Sequence, residues 1–397
     1  MRIDNLSLIS EDSHLCLAGR IDDFALWYRF PLSCHVRLSS EPFVVASLLP
    51  AMLKGEPIQV APGFPISTEF LENITELQRI FHCWNRLLRI VEVQCETAPA
   101  QPGNGHVGCF FSGGVDSTHT LIRNLQSITD MVLINGFDFM IEPEMFERIT
   151  AKNTKVANQL NKNLLPVKTN FYLFEQANRL QRTLSHGSCL ASIALALGFD
   201  TFYVPSSHTY DELYPHGSHP LTDRLWSNGT TKIIHYGSGW HRSEKLEEIA
   251  GFPEILENLV VCWINPDQNC GKCAKCLRTM TTLRLLGVSS AAFPPLTSAK
   301  QLRSIQIDNA SGFGFAKDNL ERAVARGDRE IQKEVKSLIR RYEMREAISN
   351  LDRAVFGSFL RKTYRLFRPF VVEGFAFNSR SVPAFGNGSS KVVRKEF

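Results

Sequence analysis

The sequence predicts an α/β protein organised on a doubly wound parallel sheet, preceded by an α+β region and followed by a cysteine knuckle and helices. Three observations carry the prediction. From Cys109 to Ile249, apolar runs of strand length alternate with segments of helical period. The first run, Cys109-Phe110-Phe111, passes through Ser112-Gly113-Gly114 into a helix opening at Asp116-Ser117. The 397-residue chain is 44% hydrophobic, enough for one large core with appendages or for two domains.

Taken in order, Ala25–Phe30 reads as a strand, Pro42–Leu49 opens a helix that runs through Met52, and Ile58–Val60 is a strand. Thr68–Leu88 has Phe70, Leu71, Ile74, Leu77, Ile80 and Phe81 at helical spacing. His82, Cys83 and Trp84 are consecutive on that helix, so they point to different faces and read as packing rather than ligation. Residues 94–108, rich in Pro, Gly and Ala, read as a linker with a boundary near Pro102, which makes 1–102 an α+β domain. Strands follow at Asp130–Asn135, Leu164–Thr169, Thr201–Val204 and Ile233–Gly237. Helices are expected at Glu144–Leu160, Cys189–Leu197 and Ser243–Ile249, the last capped at its start, completing a domain over 103–258. Beyond it come a cysteine knuckle at 259–292 with a helix expected from Ala274 to Leu286, a helical region at 293–370 with one charged run from Phe315 to Arg345, and a Ser- and Gly-rich tail at 371–397. Val355–Arg368 interleaves basic and aromatic residues, as a partner helix, a nucleic-acid face or a packed helix with solvated charges would.

The formal charge of +4 neither demands nor excludes an acidic partner. No basic start followed by an apolar run opens the chain and no segment has the length and apolarity of a membrane span, so a soluble cytoplasmic protein without membrane contact is expected. Ten cysteines lie scattered except for one tight group, which suits metal binding in a reducing compartment better than a disulfide framework.

Candidate chemistry begins at the turn Ser112, Gly113, Gly114, Val115, Asp116, Ser117. Its glycines let a ligand approach the backbone, and the helix start beyond offers unpaired N–H groups, a combination suited to phosphate. No Lys follows the glycines, which separates it from the Walker A pattern; a turn and cap without ligand is the alternative. Ligands of open α/β sheets sit beyond the strand carboxyl ends, which puts Asn135 and Phe137 opposite an adenine and ribose. His186, in the turn Ser185–Ser188, is weighed as a site residue or a cap. The polar loop 205–223 supplies Asp211, Tyr214, His216 and His219 to a substrate, for ligation, proton transfer or hydrogen bonding. Arg242 and Lys245 could meet phosphate charge or simply decorate a helix. Cys262, Cys270, Cys273 and Cys276 are spaced Cys-x7-Cys-x2-Cys-x2-Cys, a pattern suited to a closed structural Zn²⁺ site. An iron–sulfur cluster and a redox pair stay open.

Ser-Gly-Gly-Xaa-Asp-Ser at 112–117 resembles the pyrophosphate loop of the ATP pyrophosphatase, or PP-loop, superfamily. With the cysteine knuckle followed by Cys276-Leu277-Arg278, the Asp211 and Tyr214-Pro215 pair, and Ser243-Glu244-Lys245, residues 105–287 are similar to the 7-cyano-7-deazaguanine synthase family of the queuosine pathway. The resemblance implies an ATP pyrophosphatase fold, ATP, Mg²⁺ and Zn²⁺ as cofactors, and phosphates wrapped by Ser112 to Ser117. It also implies catalytic roles for Asp116, Ser117 and Arg242. The activity implied is AMP-forming: a carboxylate or amide-type acceptor is adenylated and then coupled to ammonia or an amine. Where the family has Gly-Arg-Asn, this chain has Ser185–Ser188, and where it has Asp-Cys-Arg, this chain has His216–His219, which implies another acceptor. Residues 1–100 and those beyond Phe293 have no counterpart in the small family enzyme. ATP-dependent thiolation through Cys189, a nucleotide-binding adaptor that recruits a protein through its terminal regions, and a homodimer remain open alternatives.

Overall fold

The computed structural model describes residues 1–356, apart from 12, 138, 139, 263, 266, 308 and 309. Strands β1 (Arg2–Glu11), β2 (His14–Ile21) and β3 (Phe24–Pro31) lead into helix α1 (Glu41–Lys54). Next come β4 (Ile58–Val60), β5 (Ile66–Ser67), α2 (Thr68–Trp84), β6 (Val93–Gln94) and β7 (Thr97–Ala98). The alternating part comprises β8 (Val107–Phe110), α3 (Val115–Arg123), β9 (Asp130–Asn135), α4 (Pro143–Gln159), β10 (Asn163–Thr169), α5 (Phe171–Ala177), α6 (Arg182–Leu197), β11 (Thr201–Pro205), β12 (Lys232–Tyr236), α7 (Arg242–Ala250) and α8 (Pro253–Leu256). Helices α9 (Ala274–Leu286), α10 (Ala310–Ala325) and α11 (Arg329–Phe356) end the described chain.

Ten strands form one mostly parallel sheet in the order β12-β11-β8-β9-β10-β3-β2-β1-β4-β6. The first five are mutually parallel, as strands joined by helical crossovers must be. Side chains of β8 and β9 alternate between two cores: Phe110 and Val132 meet α6 on one face, Cys109 and Met131 meet α3 and α4 on the other. Helices therefore cover both faces, as the sequence predicts.

Most strands before Pro102 add to this sheet, and only the short β5 and β7 pair apart from it, parallel, in a two-stranded sheet of their own. β3 pairs antiparallel with β10 (Thr169 opposite Tyr28), and β2 and β1 continue outward. Side-chain bonds tie the join: the Trp27 N–H donates to Asn170 Oδ1 at 2.9 Å, and Thr169 Oγ1 donates to the Trp27 carbonyl at 2.8 Å. The boundary near Pro102 thus marks a change from mixed to all-parallel pairing within one sheet. The stretch read as a linker is fastened too, since Thr230 Oγ1 donates to the Gln101 carbonyl at 2.6 Å.

Three expected elements need correction. Ser185–Ser188 is no turn but the first half of α6, which starts at Arg182; Gly187 is there because a Cβ would stand 2.0 Å from the Gly217 carbonyl oxygen. The run from Phe315 to Arg345 is two helices, broken at Gly327 with φ +69°, a left-handed angle that ends a helix. Helix α2 stops at Trp84, four residues short of the expected Leu88. Residues 1–340 form one compact unit and the chain from Arg341 a second. The parts of the basic-aromatic stretch and the tail beyond residue 356 lie outside the described residues.

Candidate functional site

The chain runs β8, β9, β10 in one direction across the sheet, then returns to place β11 and β12 on the other side of β8. That reversal opens a crevice beyond the carboxyl ends of β8 and β11, where open α/β sheets receive ligands. The loops after these two strands, 111–114 and 206–222, form its walls.

The Ser112–Ser117 turn is built as its sequence suggests. Gly113 adopts φ +74°, and any Cβ there would also come to 3.0 Å from Asn153 Oδ1. The Ser112 N–H donates to Ser117 Oγ at 3.2 Å, and Ser117 Oγ donates to the Gly114 carbonyl at 3.1 Å, folding the turn onto the first turn of α3. Outside the loop, the Val260 N–H donates to the Gly113 carbonyl at 2.9 Å. Asn153, on α4, is only 3% exposed, and its Nδ2 has no hydrogen-bond partner among the described residues. A buried amide donor left unpaired is costly unless something else meets it.

Asp116 projects from the first turn of α3 toward α7. Arg242 Nη1 donates to its Oδ2 at 2.7 Å and Lys245 Nζ to its Oδ1 at 3.1 Å. Arg242 and Lys245 stand three apart on α7, hence on one face. Burial would raise the Asp116 pKa, but Lys245 and Arg242 outweigh it and hold the carboxyl well below the usual range. Lys245 is 2% exposed and also donates to the Ser206 carbonyl at 2.7 Å, so a buried ammonium is shared between the two walls. Lys275, in the first turn of α9, acts on Asp116 in the same sense, and Arg278, one turn on, has its pKa lowered to about 10, by burial first and Arg242 second. Four cations around one carboxylate leave surplus positive charge beside the loop.

The second wall gathers aromatic and imidazole rings. The His216 ring centroid lies 5.3 Å from that of His186 and 5.5 Å from that of His208; Tyr214 is 5.0 Å from His208, and Phe137 is 4.6 Å from His186. Burial, then the neighbouring imidazoles, lowers His186 to about 3; burial, then His216, lowers His208 to about 4. Nδ1 of both rings lacks a hydrogen-bond partner among the described residues. Behind them, His235 Nδ1 meets Asp223 at 2.6 Å, and Ser238 Oγ links the His235 ring to Ser206 Oγ at 2.9 Å.

Other candidates sit elsewhere or are already engaged. Asn135 spends its amide on Ile141, accepting from its N–H at 2.7 Å and donating to its carbonyl at 3.0 Å. His219 packs on Trp84, centroids 5.1 Å apart. Asp211 is exposed at the loop surface. Cys189, expected at a helix start, lies well inside α6 and is 0% exposed. The sequence reading did not single out Asn153, His208, Lys275 or His119. His119, on α3, is 0% exposed, with Nε2 3.2 Å from Glu248 Oε2; burial, then Lys245, lowers it to about 4. His208 carried a legible signal in its place after β11, the others none.

The four cysteines converge. Their sulfurs all lie within 4.8 Å of one another, with Cys270–Cys276 at 4.0 Å and Cys262–Cys273 at 3.9 Å. Sulfurs around a tetrahedral metal ion with bonds near 2.3 Å are about 3.8 Å apart, so the group could hold an ion such as zinc. Backbone N–H groups already point at sulfur: those of Ile264 and Asn265 at Cys262 (3.3 Å each), and those of Lys272 and Cys273 at Cys270 (3.4 and 3.3 Å). Gly271, at φ +66°, makes the turn between them. Cys273 is also the N-cap of α9, accepting from the Cys276 N–H, so the cluster fixes the start of the helix that carries Lys275 and Arg278.

These features define an α/β protein with a mostly parallel central sheet, a cation-rich crevice at its switch point and a four-cysteine cluster beside it. No protein-family model, curated protein or solved structure matches the chain. Among the described residues no helix is long and apolar enough to cross a membrane.

Proposed function

We propose that the crevice binds ATP, with its polyphosphate on the Ser112–Ser117 turn, and that the protein is an AMP-forming enzyme of the PP-loop kind. The observation that carries this reading is the grip of Arg242 and Lys245 on Asp116 at the mouth of a glycine turn. A carboxylate held by two cations is a placeholder for an anion: the same cations can turn to phosphate oxygens, leaving Asp116 to face a cation of its own. Mg²⁺, when bound there, would neutralise charge developing on the departing pyrophosphate. Arg242, Lys245, Lys275 and Arg278 supply the fixed positive field for that charge, and the α3 amides and the Asn153 amide supply donors.

The histidine and tyrosine wall is then the acceptor side. Its rings stay neutral, so they offer hydrogen bonds to a carboxylate or amide-type group without trapping it as an ion pair. Adenylation of that group and displacement of AMP by ammonia or an amine follows the likeness to the 7-cyano-7-deazaguanine synthase family. In the cysteine cluster we infer Zn²⁺ in a structural role, since four thiolates leave no open position for water.

Calorimetry with ATP·Mg²⁺ tests the reading. Lys245→Met is expected to weaken binding at least tenfold, about 1.4 kcal/mol, and to abolish pyrophosphate release. A wild-type protein with its full metal content that gives no binding heat with ATP or a non-hydrolysable analogue would sink the proposal.

A further inference from the structure

We infer that α10, appended beyond the cysteine cluster, is a positioning element of the crevice, with Phe315 and Asp318 holding Arg242 and Lys245 in place. The inference rests on the reading of the crevice as a polyphosphate site.

Asp318 reaches the start of α7 from outside that helix. Its Oδ2 accepts the Ser243 N–H at 3.1 Å and its Oδ1 accepts Ser243 Oγ at 2.5 Å. Ser243 N is one of the N–H groups that a helix start leaves without an internal partner, and a carboxylate there also complements the helix dipole. Arg322, one turn along α10, donates to Ser243 Oγ and to Glu247 Oε2, the latter at 2.8 Å. The turn so bracketed is the one that carries Arg242 and Lys245.

Phe315 acts on the cations directly. The guanidinium carbons of Arg242 and Arg278 lie 5.7 and 4.7 Å from its ring centroid. Two guanidinium groups so near each other repel, and the negative face of an aromatic ring between them offsets part of that repulsion. Arg242, Arg278, Phe315 and Asp318 line a common small cavity of about 10 Å³ between α7, α9 and α10.

Helix α10 also reaches the second wall. A Cβ on Gly314 would lie 1.4 Å from Glu212 Oε1, in the loop that carries His208, Tyr214 and His216. Glycine inside a helix costs about 0.5–1 kcal/mol relative to alanine, so its presence there reflects that close approach. On its far side, Asn319 Oδ1 accepts from Thr282 Oγ1 of α9 at 2.9 Å. One helix therefore joins the cationic wall, the acceptor loop and the helix that leaves the cysteine cluster.

The test uses the full chain with Asp318→Asn, Asp318→Glu, Phe315→Leu and Phe315→Tyr, reading ATP·Mg²⁺ affinity, amide exchange at 243–246, and zinc content as a check of fold. Asp318→Asn should weaken ATP·Mg²⁺ roughly tenfold and speed exchange at Ser243, with Asp318→Glu recovering most of both. Phe315→Leu should weaken binding roughly fivefold and Phe315→Tyr restore it, because a ring and not mere volume is required. Unchanged affinity and exchange in Asp318→Asn, or equal losses in the Leu and Tyr variants, overturn the inference. If the wild type ignores ATP, the polyphosphate reading falls by itself and exchange at 243–246 in Asp318→Asn still decides whether α10 holds α7. If the Asp318 variants fail to fold, the Phe315 pair decides.

Discussion

Asp116 and Lys245 form an ion pair largely withdrawn from water. With the Lys245 side chain 3% exposed, removing its carboxylate partner leaves an ammonium with only the Ser206 carbonyl. Asp116→Asn should therefore lower stability by about 3 kcal/mol, in the range for breaking a buried pair. Adding Lys245→Met to it should cost less than the two single losses summed, as chemical denaturation of the four proteins would reveal; strict additivity would mean the pair is not coupled. His119 makes the opposite kind of statement. Its pKa falls from 6.5 to about 4 on folding, by burial and then Lys245. Between those values the unfolded chain takes up a proton that the folded chain refuses, so stability drops as pH falls from 6.5 toward 4 and levels off below. His119→Gln should flatten that slope in urea midpoints taken between pH 7 and 4.5. An equal slope in both proteins would assign the loss to other groups.

At the scale of elements, what could be read in the sequence follows from where each element's causes lie. Helix α9 and strand β9 match their expected bounds, Ala274–Leu286 and Asp130–Asn135, because their signals are local. Cys273 caps α9, Gly287 ends it at φ +72°, and β9 is a short apolar run between polar turns. Helix α6 was legible only in its second half, since Ser185, His186, Gly187 and Ser188 look like a turn until Gly217 is seen pressed against them. The grip of α7 on Asp116 was half legible: the sequence offers Arg242 and Lys245 as cations but not the 126-residue return that brings them to the loop. The link from the cysteine cluster to α9 makes its own prediction. If the cluster holds zinc and the crevice ATP, as proposed, Cys276→Ser should reduce the zinc content and weaken ATP·Mg²⁺ together with it, because Lys275 and Arg278 lose the anchor of their helix. Metal analysis beside calorimetry checks this, and full ATP affinity in a zinc-free variant would separate cluster from crevice.

For the molecule as a whole, the parallel half of the sheet was readable and its junction with the amino-terminal half was not. Alternating strands and helices announce a parallel sheet by their order, whereas the pairing of β3 with β10 joins residues some 140 positions apart and leaves no local mark. The consequence is physical. One core cluster runs from Met1 through Phe43 and Phe81 to Phe202 and Ile233, so both halves bury the same apolar surface. Glu41, on α1, accepts from the Ser67 N–H at 2.8 Å and from Asn228 Nδ2, an amide just before β12. A fragment beginning at residue 103 would expose the β10 edge and strip α6 of its cover from α1, conditions that favour aggregation. Residues 1–340 should accordingly melt in one cooperative calorimetric transition, and the fragment from 103 onward should fail to stay monomeric. A soluble fragment with its own sharp transition would show instead that the parallel half folds alone, with the amino-terminal strands docked on a finished sheet.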